Sequence, residues 1–92
     1  MVYVVERYLP GVRTSDLRRA LIELERATEQ LRGEGSEVRY LGSTIVARDE
    51  SCFCQFDGAS ETEVGEANRQ AGLWFDRIVP AVAVEPTKGE AP

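Results

Sequence analysis

Histidine is absent from the 92 residues of this chain. That removes the commonest general base near neutral pH and the commonest transition-metal ligand. Ser–His and Cys–His nucleophile mechanisms are excluded with it. Positive charge is scarce as well: 11 basic residues stand against 16 acidic ones, a formal net charge of −5. Residues 1–40 are balanced, with Arg7, Arg13, Arg18, Arg19, Arg26, Arg32 and Arg39 facing seven acids, so the whole deficit lies in residues 41–92. An acidic chain without a basic stripe repels phosphate backbones, which argues against nucleic acid as a partner. No apolar run approaches the roughly 20 residues of a membrane helix. The opening MVYVVERY lacks a basic region followed by a long apolar one, so it does not read as a secretion signal, and a cytoplasmic location without membrane contact is expected. Phosphate loops, dinucleotide fingerprints, nucleophile elbows and calcium loops are all missing.

What is present describes one small globular core. Hydrophobic residues make up 42% and charged residues 29% of the chain, an ordinary globular composition, and the length suits a single domain. Val2–Tyr8 alternates Val2, Val4, Glu6 and Tyr8 on one face with Tyr3, Val5 and Arg7 on the other, the pattern of a strand that Leu9-Pro10-Gly11 ends. Thr14 or Ser15 is a natural N-cap for a helix running to about Arg32, with Leu17, Ala20, Leu21, Leu24, Ala27 and Leu31 on one stripe. Gly33 and Gly35 supply its stop. Glu37–Ala47 reads as a second strand with a bulge or bend at Gly42, and Ser51–Asp57 as a third. Ser60-Glu61-Thr62-Glu63 is a capping-box pattern for a second helix, whose stripe is Val64, Ala67, Asn68 and Ala71. Gly72 closes it, Trp74–Val84 forms the last strand, and residues 85–92 (EPTKGEAP) read as a mobile tail.

The order strand, helix, strand, strand, helix, strand over residues 1–84 predicts a ferredoxin-like α+β sandwich. Its antiparallel four-stranded sheet carries both helices on one face. Both faces of that sheet carry apolar side chains, while two helices cover only one. Exposed apolar surface at about 25 cal/mol per Å2 favours a second copy packed sheet to sheet. A homodimer of the dimeric α+β barrel type is therefore expected.

Few residues suggest chemistry. Cys52 and Cys54 point to one face of their strand, about 7 Å apart along the chain and at the edge of disulfide reach. They read either as small apolar residues beneath a helix or, with Glu50 or Asp49, as a soft-metal or redox site, though two thiolates do not complete a tetrahedral centre. Asn68 is a polar residue on an apolar stripe, so it ties the helix to a neighbour or lines a pocket. Glu6 shares a face with Val2 and Val4 and is either paired or a base of raised pKa. Arg39 is placed to hold Glu6, Asp76 or an anionic ligand. The candidate ligand set is thus Glu6, Arg39, Asn68 and Asp76, and the candidate metal set is Glu50, Cys52 and Cys54.

Three strings taken together, Glu6-Arg7-Tyr8-Leu9-Pro10-Gly11, VRYLGSTIVARDESCFCQF and EANRQAGLWFDRIVPAV, resemble the DUF4242 family of small bacterial proteins, which includes nickel-binding members. The resemblance implies a ferredoxin-like fold, a dimer, and nickel or another divalent transition metal as a ligand. On this basis three functions compete. One is a non-enzymatic dimeric binding protein for a metal or small ligand. A second is a cofactor-independent enzyme, monooxygenase- or isomerase-like, with an apolar pocket lined by Tyr3, Tyr8, Phe53 and Trp74. The third is a partner domain that only dimerises.

Overall fold

The computed structural model describes residues 1–87. The chain runs β1 (Val2–Tyr8), α1 (Thr14–Gly33), β2 (Arg39–Val46), a 3-10 turn (Ala47–Asp49), β3 (Ser51–Asp57), α2 (Glu61–Gln70) and β4 (Arg77–Ala81). The strands pair antiparallel in the order β2-β3-β1-β4, the ferredoxin-like arrangement that the element order predicts. Of the tail expected over residues 85–92, residues 88–92 lie outside the described residues.

Helix α1 is capped one residue before Thr14 and two before Ser15, the expected caps. Arg13 occupies the cap position with no side-chain capping bond, so Thr14 and Ser15 fall inside the first turn. At the far end the amide of Ser36 donates to the Leu31 carbonyl at 3.0 Å, and Gly35 turns the chain at φ +105°, a conformation that favours glycine. Helix α2 takes the predicted cap, the Glu63 amide donating to Ser60 Oγ at 3.3 Å. The second half of the capping box is diverted. The Glu63 carboxylate accepts from the amides of Ala59 at 3.1 Å and Glu37 at 3.3 Å, tying α2 to the entry of β2.

The last strand is shorter than its pattern. Trp74 and Phe75 precede it, because the Asp76 amide donates to the Glu6 carbonyl at 2.8 Å and regular pairing with β1 starts only at Arg77. Past Ala81, Val82 and Val84 are exposed. Gly42 does mark a bulge: the register slips between Tyr40 and Gly42, with Gly42 at φ +138°.

The roofed face of the sheet carries Tyr3, Val5, Arg7, Cys52, Cys54 and Phe56, all buried, against Leu17, Leu21, Leu24, Leu31, Val64 and Ala67 of the helices. The other face is mixed. Val2, Val4 and Val79 are half-buried by their neighbours, Phe53 and Leu41 are 37% and 48% exposed, and an ion pair from Arg77 Nη2 to Glu6 Oε2 at 2.9 Å crosses it. Among the described residues no helix is long and apolar enough to cross a membrane.

Candidate functional site

Strand alternation puts Arg7 on the same face as Tyr3 and Val5, and therefore under the helices, where it is only 1% exposed. Its neighbours across the sheet are Cys52, directly opposite on β3, and Cys54, which faces Val5. The guanidinium donates from Nη1 to the Trp74 carbonyl at 3.1 Å. From Nη2 it donates to Asn68 Oδ1 at 2.7 Å and to Cys54 Sγ at 3.2 Å. Its Nε is buried with no hydrogen-bond partner. Among the described residues Arg7 enters no ion pair with a carboxylate.

A buried cation without a counter-charge costs several kcal/mol, so the identity of the compensating group matters. Among the described residues the acidic groups beside Arg7 are Cys52, directly across the sheet, and Cys54, which accepts from its guanidinium. Its sulfur also accepts from Ser43 Oγ at 2.8 Å, while Cys52 Sγ lies 3.8 Å away. The hydrogen bond from Cys52, the charge of Arg7 and the Ser43 hydroxyl hold the Cys54 thiol down at about 6, overcoming the burial that pushes it up. Cys52 is shifted the opposite way, chiefly because it is the donor to Cys54 and then because it is buried. The two thiols are thus pushed apart, and Cys54, the more acidic, is the sulfur that faces Arg7 as its counter-charge. Both cysteines are free.

The support for this pair comes from α2 and β2. Asn68 is fully buried on α2, its Nδ2 donating to the Val64 carbonyl at 2.8 Å while its Oδ1 faces Arg7. Ser43 belongs to β2, the sheet's edge, and pairs across from Cys54. Its hydroxyl lies 2.5 Å from that of Tyr40, whose own pKa is raised by burial against the opposing Ser43 bond. The thiolate therefore sits one strand in from the edge, behind two half-buried hydroxyls.

The structure separates the four residues of the candidate ligand set. Asn68 joins Arg7 on the roofed face, tying α2 to β1. Glu6 lies on the open face with Arg77. Asp76 accepts from the Tyr8 amide, and both acids border a cleft of about 170 Å3 with Tyr8, Ser51 and Phe53. Arg39 starts β2 opposite Asp57, at the far end of the sheet. Glu50 leaves the two cysteines as well, its carboxylate accepting from the Gly11 amide at 2.6 Å. Among the described residues no three His, Cys, Asp or Glu side chains come together as a metal site. The residues that sequence reasoning passed over are Arg7 and Ser43. The signal for Arg7 was its parity with Tyr3 and Val5; the one for Ser43 was hidden by the bulge.

No curated protein matches the chain. A family model described as "Nickel responsive protein SCO4226-like" matches residues 3–81. Among solved structures, the chain is similar to the crystal structure of SCO4226 from Streptomyces coelicolor A3(2), with a TM-score of 0.69 and 19% identity over 90% of this chain and 100% of that one. A nickel-linked family is what the sequence resemblance implies, although the match carries the SCO4226-like name and not the DUF4242 label.

Proposed function

The chain belongs to the SCO4226-like family of nickel-responsive proteins, and from that premise we propose that it is a small metal-responsive binding protein whose chemistry resides in the Cys52–Cys54 pair. The observation that carries this reading is the pair itself: two buried sulfurs 3.8 Å apart, one of them accepting a hydrogen bond from a buried arginine. Nickel(II) is poorly served by these donors. It favours four nitrogen or oxygen ligands in a plane, whereas the chain has no histidine and gathers no third ligand among its described residues. A soft, thiophilic ion is the better match.

Thiol counting tests this. After incubation with one equivalent of silver(I), mercury(II), cadmium(II) or copper(I), at least one ion should mask both cysteines from a thiol reagent in the folded and the denatured chain. Nickel(II) should leave both reactive on denaturation. If every ion leaves two free thiols, the reading fails.

The binding unit we propose is a homodimer formed across the open sheet face. Val2, Val4, Val79 and Phe53 supply an apolar strip there, rimmed by Gln55, Thr44 and the Glu6–Arg77 pair. At micromolar concentration the 10.2 kDa chain should sediment at twice its mass, and Val4→Glu should return it to monomer. A wild-type chain that sediments at its own mass overturns the dimer. The enzymatic alternative has one feature in its favour, a cleft of about 400 Å3 lined by Arg69, Gly72, Leu73, Trp74 and Phe75. Arg69 is its only charged wall, so no lining group is suited to proton transfer, and binding remains the better reading.

A further inference from the structure

We propose that Cys52 and Cys54 form a two-coordinate site for a monovalent soft metal ion of the copper(I) class, with Arg7 as the fixed cation that neutralises the resulting bis-thiolate. This deepens the reading of the thiol pair as a metal-responsive site and rests on it.

Donor number is the first argument. Two sulfurs share the roofed face with no exposure to solvent, and no third His, Cys, Asp or Glu joins them among the described residues. Zinc asks for four ligands and calcium for six or more oxygens. Thiolates select soft ions, copper(I) among them, and such an ion is satisfied by two sulfurs.

Charge decides between the soft ions. Two thiolates around a divalent ion make a neutral unit, which leaves the Arg7 charge buried and unbalanced. Around a monovalent ion they make a unit of charge −1, which Arg7 cancels. No carboxylate is present to take over that role among the described residues. Whatever proton the pair still holds leaves to solvent as the ion enters, and the bis-thiolate unit that results is the one whose charge Arg7 cancels.

Geometry permits the exchange. Metal–thiolate bonds of about 2.3 Å place the sulfurs of a straight S–M–S unit roughly 4.6 Å apart. The observed 3.8 Å must open by less than about 1 Å, within reach of small side-chain rotations. Arg7 Nη2 already lies 3.2 Å from Cys54 Sγ, and the orphaned Nε is a second donor that the chain itself leaves unused. Hydrogen bonds to a coordinating sulfur of this kind orient the ligand and tune affinity. Entry leads past Ser43 and Tyr40 on the edge strand, where only two half-buried hydroxyls cover the thiolate.

The test is a competition titration of the reduced protein under anaerobic conditions, with copper(I) delivered from a chromophoric chelator and mercury(II) run in parallel. One copper(I) should bind per chain, and X-ray absorption should show two sulfur neighbours and no nearer nitrogen or oxygen. Arg7→Met should weaken copper(I) relative to mercury(II) by about tenfold or more, and Arg7→Lys should restore much of the ratio. Should Arg7→Met fail to fold, the wild-type stoichiometry and coordination number still decide the matter. Three or more ligands on copper, or an unchanged copper-to-mercury ratio in a folded Arg7→Met, overturns this proposal while leaving thiol-based binding intact. If neither ion binds, both readings fall together.

Discussion

Arg7→Met should lower the unfolding free energy by about 3–5 kcal/mol, the range for removing one partner of a buried charge pair. The apolar stem of the side chain is kept, so the volume filled beneath the helices changes little. What disappears is the donor to three acceptors at once: Asn68 Oδ1, the Trp74 carbonyl and Cys54 Sγ. Asn68 Oδ1 and Cys54 Sγ are left in a buried core, the Trp74 carbonyl in a part-buried place, and unsatisfied buried acceptors cost about 1–3 kcal/mol apiece. Cys54 escapes part of that penalty by taking up a proton, so its thiol should titrate well above about 6 in the variant. Urea unfolding measures the first effect, and the pH dependence of alkylation measures the second. The contrasting substitution is Arg77→Met. Its guanidinium does contact a carboxylate, unlike that of Arg7, but its side chain is 65% exposed, and exposed pairs contribute about 0–1 kcal/mol. If the two variants unfold at the same urea concentration, Arg7 is not the counter-charge described here.

The stability of the reduced, metal-free protein should rise as pH increases from about 6 to about 9. Native Cys54 releases its proton at about 6, against the ordinary thiol value of 9.0. Between those values the unfolded chain binds one more proton than the native one, and unfolding free energy therefore climbs with pH. The slope approaches at most roughly 1.4 kcal/mol per pH unit, and the contribution is lost as pH falls through about 6. Cys52 acts in the reverse sense. Its thiol is raised, so above about 9 the unfolded chain sheds a proton that the native one retains, and stability declines again. The optimum thus lies on the alkaline side of neutrality. Asp57, held low by the Met1 amine, and Glu63, held low by the Ala59 amide, act below this window. Urea midpoints at both ends of the range give the slope, and Cys54→Ala should flatten it. A wild-type profile with no slope there refutes the thiolate.

How much of this was legible beforehand depended on whether a feature was local. Alternation in Val2–Tyr8, the leucine stripe of α1 and the Ser60 cap depend on near neighbours in the chain, and each element formed where those neighbours indicate. Trp74 and Phe75 missed the last strand because its start is set by a contact from Asp76 to Glu6, 70 residues earlier. The sites followed the same rule. Asn68 stood out as a polar residue on an apolar stripe. Cys52 and Cys54 stood out by spacing, though their sulfurs lean to 3.8 Å, nearer than two parallel strand side chains would be. Glu6, Arg39 and Asp76 share no such pattern, and the fold leaves Glu6 and Asp76 on one cleft with Arg39 at the far end of the sheet. Arg7 was visible to parity yet went unremarked, because an arginine in a strand is ordinarily read as facing water.

The slip at Gly42 has a bearing on the thiolate that the fold alone does not suggest. Tyr40 and Ser43 stand three residues apart, an odd interval, and in an unbroken strand they would turn to opposite sides. The extra residue resets the phase, so Ser43 and Ile45 aim inward and Leu41 is carried outward onto the rim. A strand spelled with the same letters but wound regularly from Tyr40 would set Gly42, which has no hydroxyl, opposite Cys54 and strip Tyr40 of its partner. Which hydroxyl meets the sulfur is therefore a matter of counting along the backbone as much as of residue identity.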